Sequence, residues 1–265
     1  MNRHTPTVVL CLGLPGSAST WIYNICILLM SSPEHPANCG YVDRFASLYE
    51  KFGVASHQSG IFVIKSHSAD EQFFDYVCLT DAKQVLTIRD PRDCIVSLME
   101  QFGHSFDVAL RMLVASCNAL MRFQSYEGIV LRYEDQFFNS SRTILKLCQY
   151  LRLTKLIDVE SLMQVLSQES IMEFINSFDQ VPSELIEQHN VHRDSYDTLS
   201  HWHTHHFGDG LVGKWKARLS SDQQARANEA LAPALHAFNY ENVFAHSPSQ
   251  SGSLHGNIQA RAGRT

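Results

Sequence analysis

The sequence predicts a three-layer α/β domain: a central parallel sheet of four or five strands flanked by helices. Three observations predict it. Short apolar runs, several rich in β-branched residues, recur at Thr7–Leu12, Gly60–Lys65, Gln84–Ile88 and Gly128–Tyr133, and they read as buried strands. Helical patterns of about ten residues or more lie between strands, the spacing of crossover connections in a parallel sheet. The chain is 265 residues long and 45% hydrophobic, enough to fill one large core.

Taken in order, the first strand Thr7–Leu12 meets Gly13-Leu-Pro-Gly16. Ser17-Ala18-Ser19-Thr20 then offers N-cap chemistry to an apolar helix over Trp21–Leu29. Residues 31–41 carry two prolines and a glycine and read as a loop. The strands Gly60–Lys65 and Gln84–Ile88 follow. Pro91 ends the latter and suits the first turn of a helix over Arg92–Phe102. Phe106–Phe123 is a long helical pattern, Gly128–Tyr133 a fourth strand and Asn139–Leu151 an amphipathic helix. Residues 155–185 alternate at helical spacing, and residues 186–206 read as a polar, His-rich loop. Ser220–Phe238 is a helix with Ser at its start. From His246 the chain has almost nothing to bury, so the reading is one domain over residues 1–245 and a disordered tail over 246–265. No internal repeat is found.

Charge and cysteine usage narrow the function. With 21 Lys+Arg against 27 Asp+Glu the net charge is −6, which disfavours a nucleic-acid polymer as partner. The seven cysteines are odd in number and form no Cys-x-x-Cys pair. They read as buried thiols of a cytoplasmic protein. Arg3, Val8–Leu14 and Gly16-Ser17-Ala18 sketch a signal peptide, but the run passes through Pro15 straight into a helical pattern. The most apolar stretch, Trp21–Met30, is too short to span a membrane.

A strand, a Gly-containing turn and a helix start form a geometry that grips phosphate, because unpaired N–H groups and the helix dipole face the anion. Here the turn is Gly13-Leu-Pro-Gly-Ser-Ala-Ser-Thr20. Set against G-x-x-x-x-G-K-[ST], only Thr20 matches beyond the first glycine, and the lysine is missing. That argues against an ATP- or GTP-hydrolysing loop. On its own the turn reads equally well as an anion site or as close packing of small residues.

Other segments decide between these. Pro15-Gly16-Ser17-Ala18-Ser19-Thr20-Trp21 resembles the P-[KR]-S-G-[ST]-T-W loop of the sulfotransferase family, bacterial members above all. That family uses 3′-phosphoadenosine 5′-phosphosulfate (PAPS) as donor. Arg89-Asp90-Pro91-Arg92-Asp93 with Ser97 is similar to its R-[DN]-P-[KR]-D-x-x-x-S signature. Ile64-Lys65-Ser66-His67 resembles its K-T-H segment, Arg132-Tyr133-Glu134-Asp135 its R-Y-E-D strand end, and Gly210-Leu-Val-Gly213-Lys-Trp215-Lys216 its G-x-x-G-x-W-[KR] element. The five elements stand in family order over about residues 8–240.

The resemblance implies a P-loop-like fold and sulfuryl transfer from PAPS to a hydroxyl of a small-molecule, glycolipid or carbohydrate acceptor, with 3′-phosphoadenosine 5′-phosphate (PAP) as product and no metal. It makes His67 the general base and Lys65 a cation near the transferred group. It places Gly16, Ser17, Ala18, Ser19 and Thr20 on the 5′-phosphosulfate, the three hydroxyls donating. Arg89 and Ser97 go to the 3′-phosphate, with Gly210 at the same end. Trp21 stacks on adenine or fills the core, and Tyr133 touches adenine. Read from residue types alone, Arg89 joins Asp90 and Asp93 in a surface network, and Arg92 points outward or pairs with Asp93.

Two departures stand out. Gly16 occupies the family's Lys or Arg position, and loss of one charge-stabilising donor can cost about 10²–10³ in rate. Gly208-Asp209-Gly210 replaces Arg-Lys-Gly, putting an acid near the 3′-phosphate, with His205 and His206 as substitutes. The His201–His206 cluster is read as a polar lid rather than a zinc site, since Asp209 alone offers an acidic partner. Loops 31–59, 68–80 and 186–206 choose the acceptor, while Phe73, Phe74 and Tyr76 line its pocket or the core. The alternatives are a P-loop kinase or hydrolase and a non-catalytic nucleotide-binding relative.

Overall fold

Alternation along the strands divides the apolar side chains between two cores, one on each face of the sheet. Strand β1 (Thr7–Gly13) turns Val8, Leu10 and Leu12 to one face and Val9 and Cys11 to the other. The computed structural model describes residues 7–52, 60–80, 82–125, 127–189 and 194–241. Within them β2 (Asn38–Tyr41), β3 (Ile61–Ser66), β4 (Lys83–Ile88) and β5 (Ile129–Arg132) join β1 in a five-stranded parallel sheet of order β2-β3-β1-β4-β5. The central strand is buried on both faces, as a parallel sheet requires.

Helices α1 (Ser19–Met30), α2 (Phe45–Phe52), α3 (Glu71–Leu79), α4 (Pro91–Phe102), α5 (Phe106–Gln124) and α6 (Ser141–Tyr150) follow the strands. Then come α7 (Val159–Val165), α8 (Gln168–Asn176), an antiparallel hairpin of β6 (Ile186–His189) and β7 (Asp194–Asp197), the short α9 (Trp215–Arg218) and α10 (Ser221–Ala237). The first core draws on α3, α4, α5 and α10, the second on α1, α6 and α8. Ser220 caps α10 reciprocally with Gln223. From β1 the chain crosses to the β2 edge, returns through β3, then passes to β4 on the far side of β1. That reversal opens a crevice beyond the carboxyl ends of β1, β3 and β4, where ligands of such sheets bind.

Several loop readings give way. Residues 31–41 contain β2, whose Asn-Cys-Gly-Tyr sequence has no β-branched run and is held by pairing to β3. Segment 31–59 also holds α2. Segment 68–80 holds α3, whose start is capped by Asp70 accepting from Phe73 N at 2.8 Å. Phe73 is core, and Phe74 and Tyr76 pack against that core, so none of them lines the cleft. The polar stretch 186–206 contains the β6–β7 hairpin. Tyr133 begins a 3₁₀ turn instead of ending β5. The tail 246–265 lies outside the described residues.

Arg92 also departs from its outward reading, since it is fully buried. Its Nε and Nη2 fork onto Asp90 at 2.9 and 2.7 Å, its Nη1 donates to Asn228 at 3.0 Å, and its guanidinium lies 4.0 Å over the Trp215 ring. Asp93 instead accepts from the N–H groups of Gly213 and Trp215 at 2.6 and 3.0 Å. Both acids that could have neutralised Arg89 are thus used structurally. Removing one member of a buried pair strands the other charge, at about 3–5 kcal/mol. Arg92→Ala is therefore expected to lower unfolding stability by about that amount, read from the shift of the urea denaturation midpoint.

Candidate active site

Where β1 ends, the chain turns through Leu14–Ala18 into α1. Ser17 is consumed inside this turn. Its N–H and its hydroxyl both donate to Leu14 O, at 3.0 and 2.6 Å, and Oγ lies 2.8 Å from Thr87 Oγ1. Its hydroxyl therefore faces the core, not the crevice, contrary to its expected donor role. Gly16 has φ +77°, and a Cβ there would lie 3.2 Å from Ser97 Cβ. That backbone favours glycine, and the close approach brings the turn against α4. Ala18 (φ 60°) precedes the first helical residues Ser19 and Thr20, and no acidic side chain occupies the first turn of α1. The N–H groups that begin a helix have no intrahelical partner, so the crevice receives unpaired donors and the positive end of a dipole.

Gly16, Ala18, Ser19, Thr20 and Trp21 line one cleft of about 550 Å³. Trp21 borders the cleft and belongs to the second core at once. It is 5% exposed within the second core, and its Nε1 donates to Leu166 O at 3.1 Å.

On the β4 side, Arg89 is 3% exposed. Its Nη1 donates to Gly16 O at 2.9 Å and to Ser97 Oγ at 3.3 Å, and its Nη2 donates to Leu211 O at 2.8 Å. The guanidinium lies 4.1 Å over the Tyr133 ring. Nε is buried without a hydrogen-bond partner. Among the described residues Arg89 has no carboxylate partner. Ser97, Tyr133 and Gly210 complete this end of the cleft.

On the β3 side, Lys65 is 6% exposed and donates to Thr20 Oγ1 at 2.6 Å. Burial brings its pKa down to about 7, against the opposing effects of Cys11 and Asp43. His67 Nδ1 lies 2.5 Å from Gly13 O. A carbonyl only accepts, so Nδ1 carries the proton and Nε2 keeps its lone pair. Burial, then the Lys65 charge, bring the His67 pKa down to about 4, so the ring is neutral at pH 7.

The far wall comes from the segment after β7. Tyr23 Oη donates to Leu199 O and Asn24 Nδ2 to Ser200 O, at 2.9 and 2.8 Å, tying this segment to α1. His201, Trp202, His203 and His206 all line the cleft; His205 does not. His201 packs against Tyr23 at 5.4 Å and Tyr41 at 6.1 Å between ring centroids, and its Nε2 is buried without a partner. Burial pushes His206 well below the usual imidazole range. It is neutral near pH 7 and supplies no charge in place of the missing Arg-Lys pair. Lys214, which no motif singled out, lines the cleft and holds Asp209 at 3.0 Å and Glu100 at 2.7 Å. Asp209 is thereby matched by a cation. Asp43, also missed, accepts from Ser66, His67 and Ser68. It sits in a segment whose sequence carries no pattern.

The family model described as "Sulfotransferase domain" matches residues 6–239. The chain belongs to the sulfotransferase family. Among solved structures, this sulfotransferase-family chain is similar to mouse sulfotransferase SULT7A1 complexed with PAP. The TM-score is 0.61 at 11% identity, over 89% of this chain and 88% of that one. It is also similar to retinol dehydratase in a complex with retinol and PAP, with TM-score 0.51 at 15% identity over 89% and 82% of the two chains. No curated protein sequence matches it significantly. The five-stranded parallel sheet and the turn beyond β1 agree with a P-loop-like α/β fold. Among the described residues no helix is long and apolar enough to cross a membrane.

Two spectroscopic outcomes follow from the geometry of this sulfotransferase-family site. Nitrogen-15 shifts should show His67 as the neutral Nδ1–H tautomer from pH 6 to 8. The Lys65 ammonium should titrate near 7, where an unperturbed lysine titrates at about 10.4.

Proposed function

We propose that the protein transfers a sulfuryl group from PAPS to a hydroxyl of a small-molecule acceptor by in-line displacement. One observation carries the reading: the start of α1, Lys65, His67 and an un-neutralised Arg89 line a single cleft. The residues fit a molecule with an anion at each end. One end has unpaired helix N–H groups, the Ser19 and Thr20 hydroxyls and Lys65. The other has Arg89, with its orphaned Nε, and Ser97. Trp21 and Tyr133 offer ring faces for adenine, and the backbone at Gly210 closes the cleft beside Tyr133. The mouse neighbour is complexed with PAP, and retinol dehydratase with PAP and retinol or androsterone. A small apolar alcohol in the same cleft agrees with those complexes. Glycolipid or carbohydrate hydroxyls are further acceptors to test.

When bound, the donor supplies an activated sulfuryl group on a phosphate leaving group. His67 Nε2 accepts the proton of the acceptor hydroxyl, and its Nδ1–H bond to Gly13 O keeps the ring in the tautomer that can do so. Lys65 stands where it can offset the missing cation of Gly16. Its bond to Thr20 holds the ammonium against the α1 start, where negative charge concentrates. The cysteines are unpaired thiols among the described residues, which agrees with a reducing cytoplasm.

Purified protein with radiolabelled PAPS and an acceptor panel tests the reading. Glycine at position 16 favours one competitor, a non-catalytic relative. Tight PAP binding without transfer to any acceptor would establish that competitor. His67→Ala is expected to lower turnover by about 10²–10⁴ while leaving PAP affinity unchanged. Arg89→Ala is expected to weaken PAP binding about tenfold or more, as loss of charge-assisted hydrogen bonds does. Isothermal titration calorimetry separates the two.

Catalysis needs His67 neutral and Lys65 charged. The free-enzyme kcat/KM should rise as pH passes about 4 and fall as it passes about 7. At pH 8 Lys65 is mostly neutral in the free protein. An anionic ligand raises its pKa, so PAP binding should take up protons, measured by calorimetry in buffers of different ionisation enthalpy.

A further inference from the structure

Asp43 lies two residues beyond the end of β2, where pairing with β3 continues as Val42 N donates to Lys65 O at 2.9 Å. Its Oδ1 accepts from Ser66 Oγ at 2.7 Å and from the N–H groups of His67 and Ser68, each at 3.0 Å. Its Oδ2 accepts from Tyr41 Oη at 2.6 Å, and the Tyr41 ring packs 5.6 Å from the His67 ring between centroids. The Asp43 carbonyl in turn accepts from Asp70 N at 2.9 Å. One carboxylate therefore gathers four donors from two strand ends, and three of the four come from the residues directly after Lys65. Burial alone would raise this carboxyl, but those hydrogen bonds outweigh burial and hold it below its usual range, so it is charged near pH 7.

We propose that Asp43 is a positioning residue for this site: its carboxylate clamps the Lys65–His67 segment in place and supplies a negative charge that both side chains feel. The inference rests on the sulfotransferase reading for the roles of Lys65 and His67, but not for the clamp itself. A backbone N–H bound at His67 fixes the Cα from which the ring reaches Gly13 O. The clamp thereby holds Nε2 on the cleft side. The charge acts on Lys65 among other titratable and polar neighbours: Cys11 on β1, Thr20 on α1, His67 at the end of β3, and His201 and His206 from the segment after β7. Asp43 is the anionic carboxylate of that set, and it opposes the desolvation of both groups. Its importance is greater here than in a chain with a loop cation, because Gly16 leaves Lys65 to act without one.

The test uses the full chain with carbon-13-labelled lysine and no ligand, comparing wild type with Asp43→Asn over pH 5–9. Asparagine keeps an acceptor oxygen and loses the charge. The Lys65 midpoint is expected to fall by about one pH unit, and hydrogen-exchange protection of the His67 and Ser68 amides to fall about tenfold as the clamp loosens. In kinetics the alkaline fall of kcat/KM should move to lower pH by the same amount, which a merely structural residue would not cause. A folded Asp43→Asn with the Lys65 midpoint and both amides unchanged overturns the proposal. Should that variant fail to fold, Asp43→Glu keeps the charge and displaces it by one methylene. The Lys65 midpoint then stays near its wild-type value and amide protection drops; unchanged protection overturns the clamp. Failure of PAP to bind wild type would reject the sulfotransferase reading and leave these ligand-free measurements standing.

Discussion

Arg89 is a buried cation that forms no ion pair with a carboxylate among the described residues. Taking a guanidinium out of water costs several kcal/mol unless a counter-charge repays it. The fold supplies only part of that compensation, through the carbonyls of Gly16 and Leu211, the Ser97 hydroxyl and the Tyr133 ring. The acids beside it in sequence are committed elsewhere. Asp90 is forked by Arg92, and Asp93 holds the backbone at Gly213 and Trp215. Those two commitments do more than leave Arg89 uncompensated. They fasten α4 to α9 and α10, and so place the 208–214 segment over the cleft. A site for a ligand anion and the packing that builds the site thus arise from one local arrangement of charges.

The opposite side of the cleft meets a different constraint. Lys65 and His67 reach the cleft from one strand end, where burial weakens the charged form of each. The protein answers with neutral partners for both. Thr20 takes the ammonium and Gly13 O takes the imidazole N–H. The result is an imidazole whose Nε2 lone pair is free at neutral pH and an ammonium near its own midpoint. In most family loops the cation of the P-[KR]-S-G segment would share the charge. Here the φ of +77° at Gly16 and the nearness of Ser97 make the turn tight, and positive charge reaches it from β3 instead.

The wall after β7 shows how a stretch of unpromising composition becomes an organised surface. Residues 194–206 are polar and rich in histidine. They are anchored because Tyr23 and Asn24 of α1 bond carbonyls of the turn and because Asp197 accepts the N–H and hydroxyl of Ser200, both at 2.6 Å. Trp202 enters the second core at 4% exposure. Burial keeps His201 and His206 neutral in this wall, and His201 packs among tyrosines.

What the sequence determined by itself was whatever short-range chemistry can specify. Apolar runs such as Thr7–Leu12 name strands, because a strand buried on both faces has no freedom to be polar. Pro91 and Ser220 name helix starts, because the residues that open a helix act within its first turn. The motif residues were visible because Lys65, His67 and Arg89 sit at strand ends and Thr20 at a helix start, each with its neighbours in a fixed order. Tertiary structure decided the rest. That Ser17 turns inward depends on Thr87, seventy residues away. That β2 is a strand depends on β3, and Asp43 matters only because that pairing carries it to the amides of His67 and Ser68. Long-range hydrogen bonds leave no periodic trace in a sequence, since neither partner needs a neighbour of a particular kind.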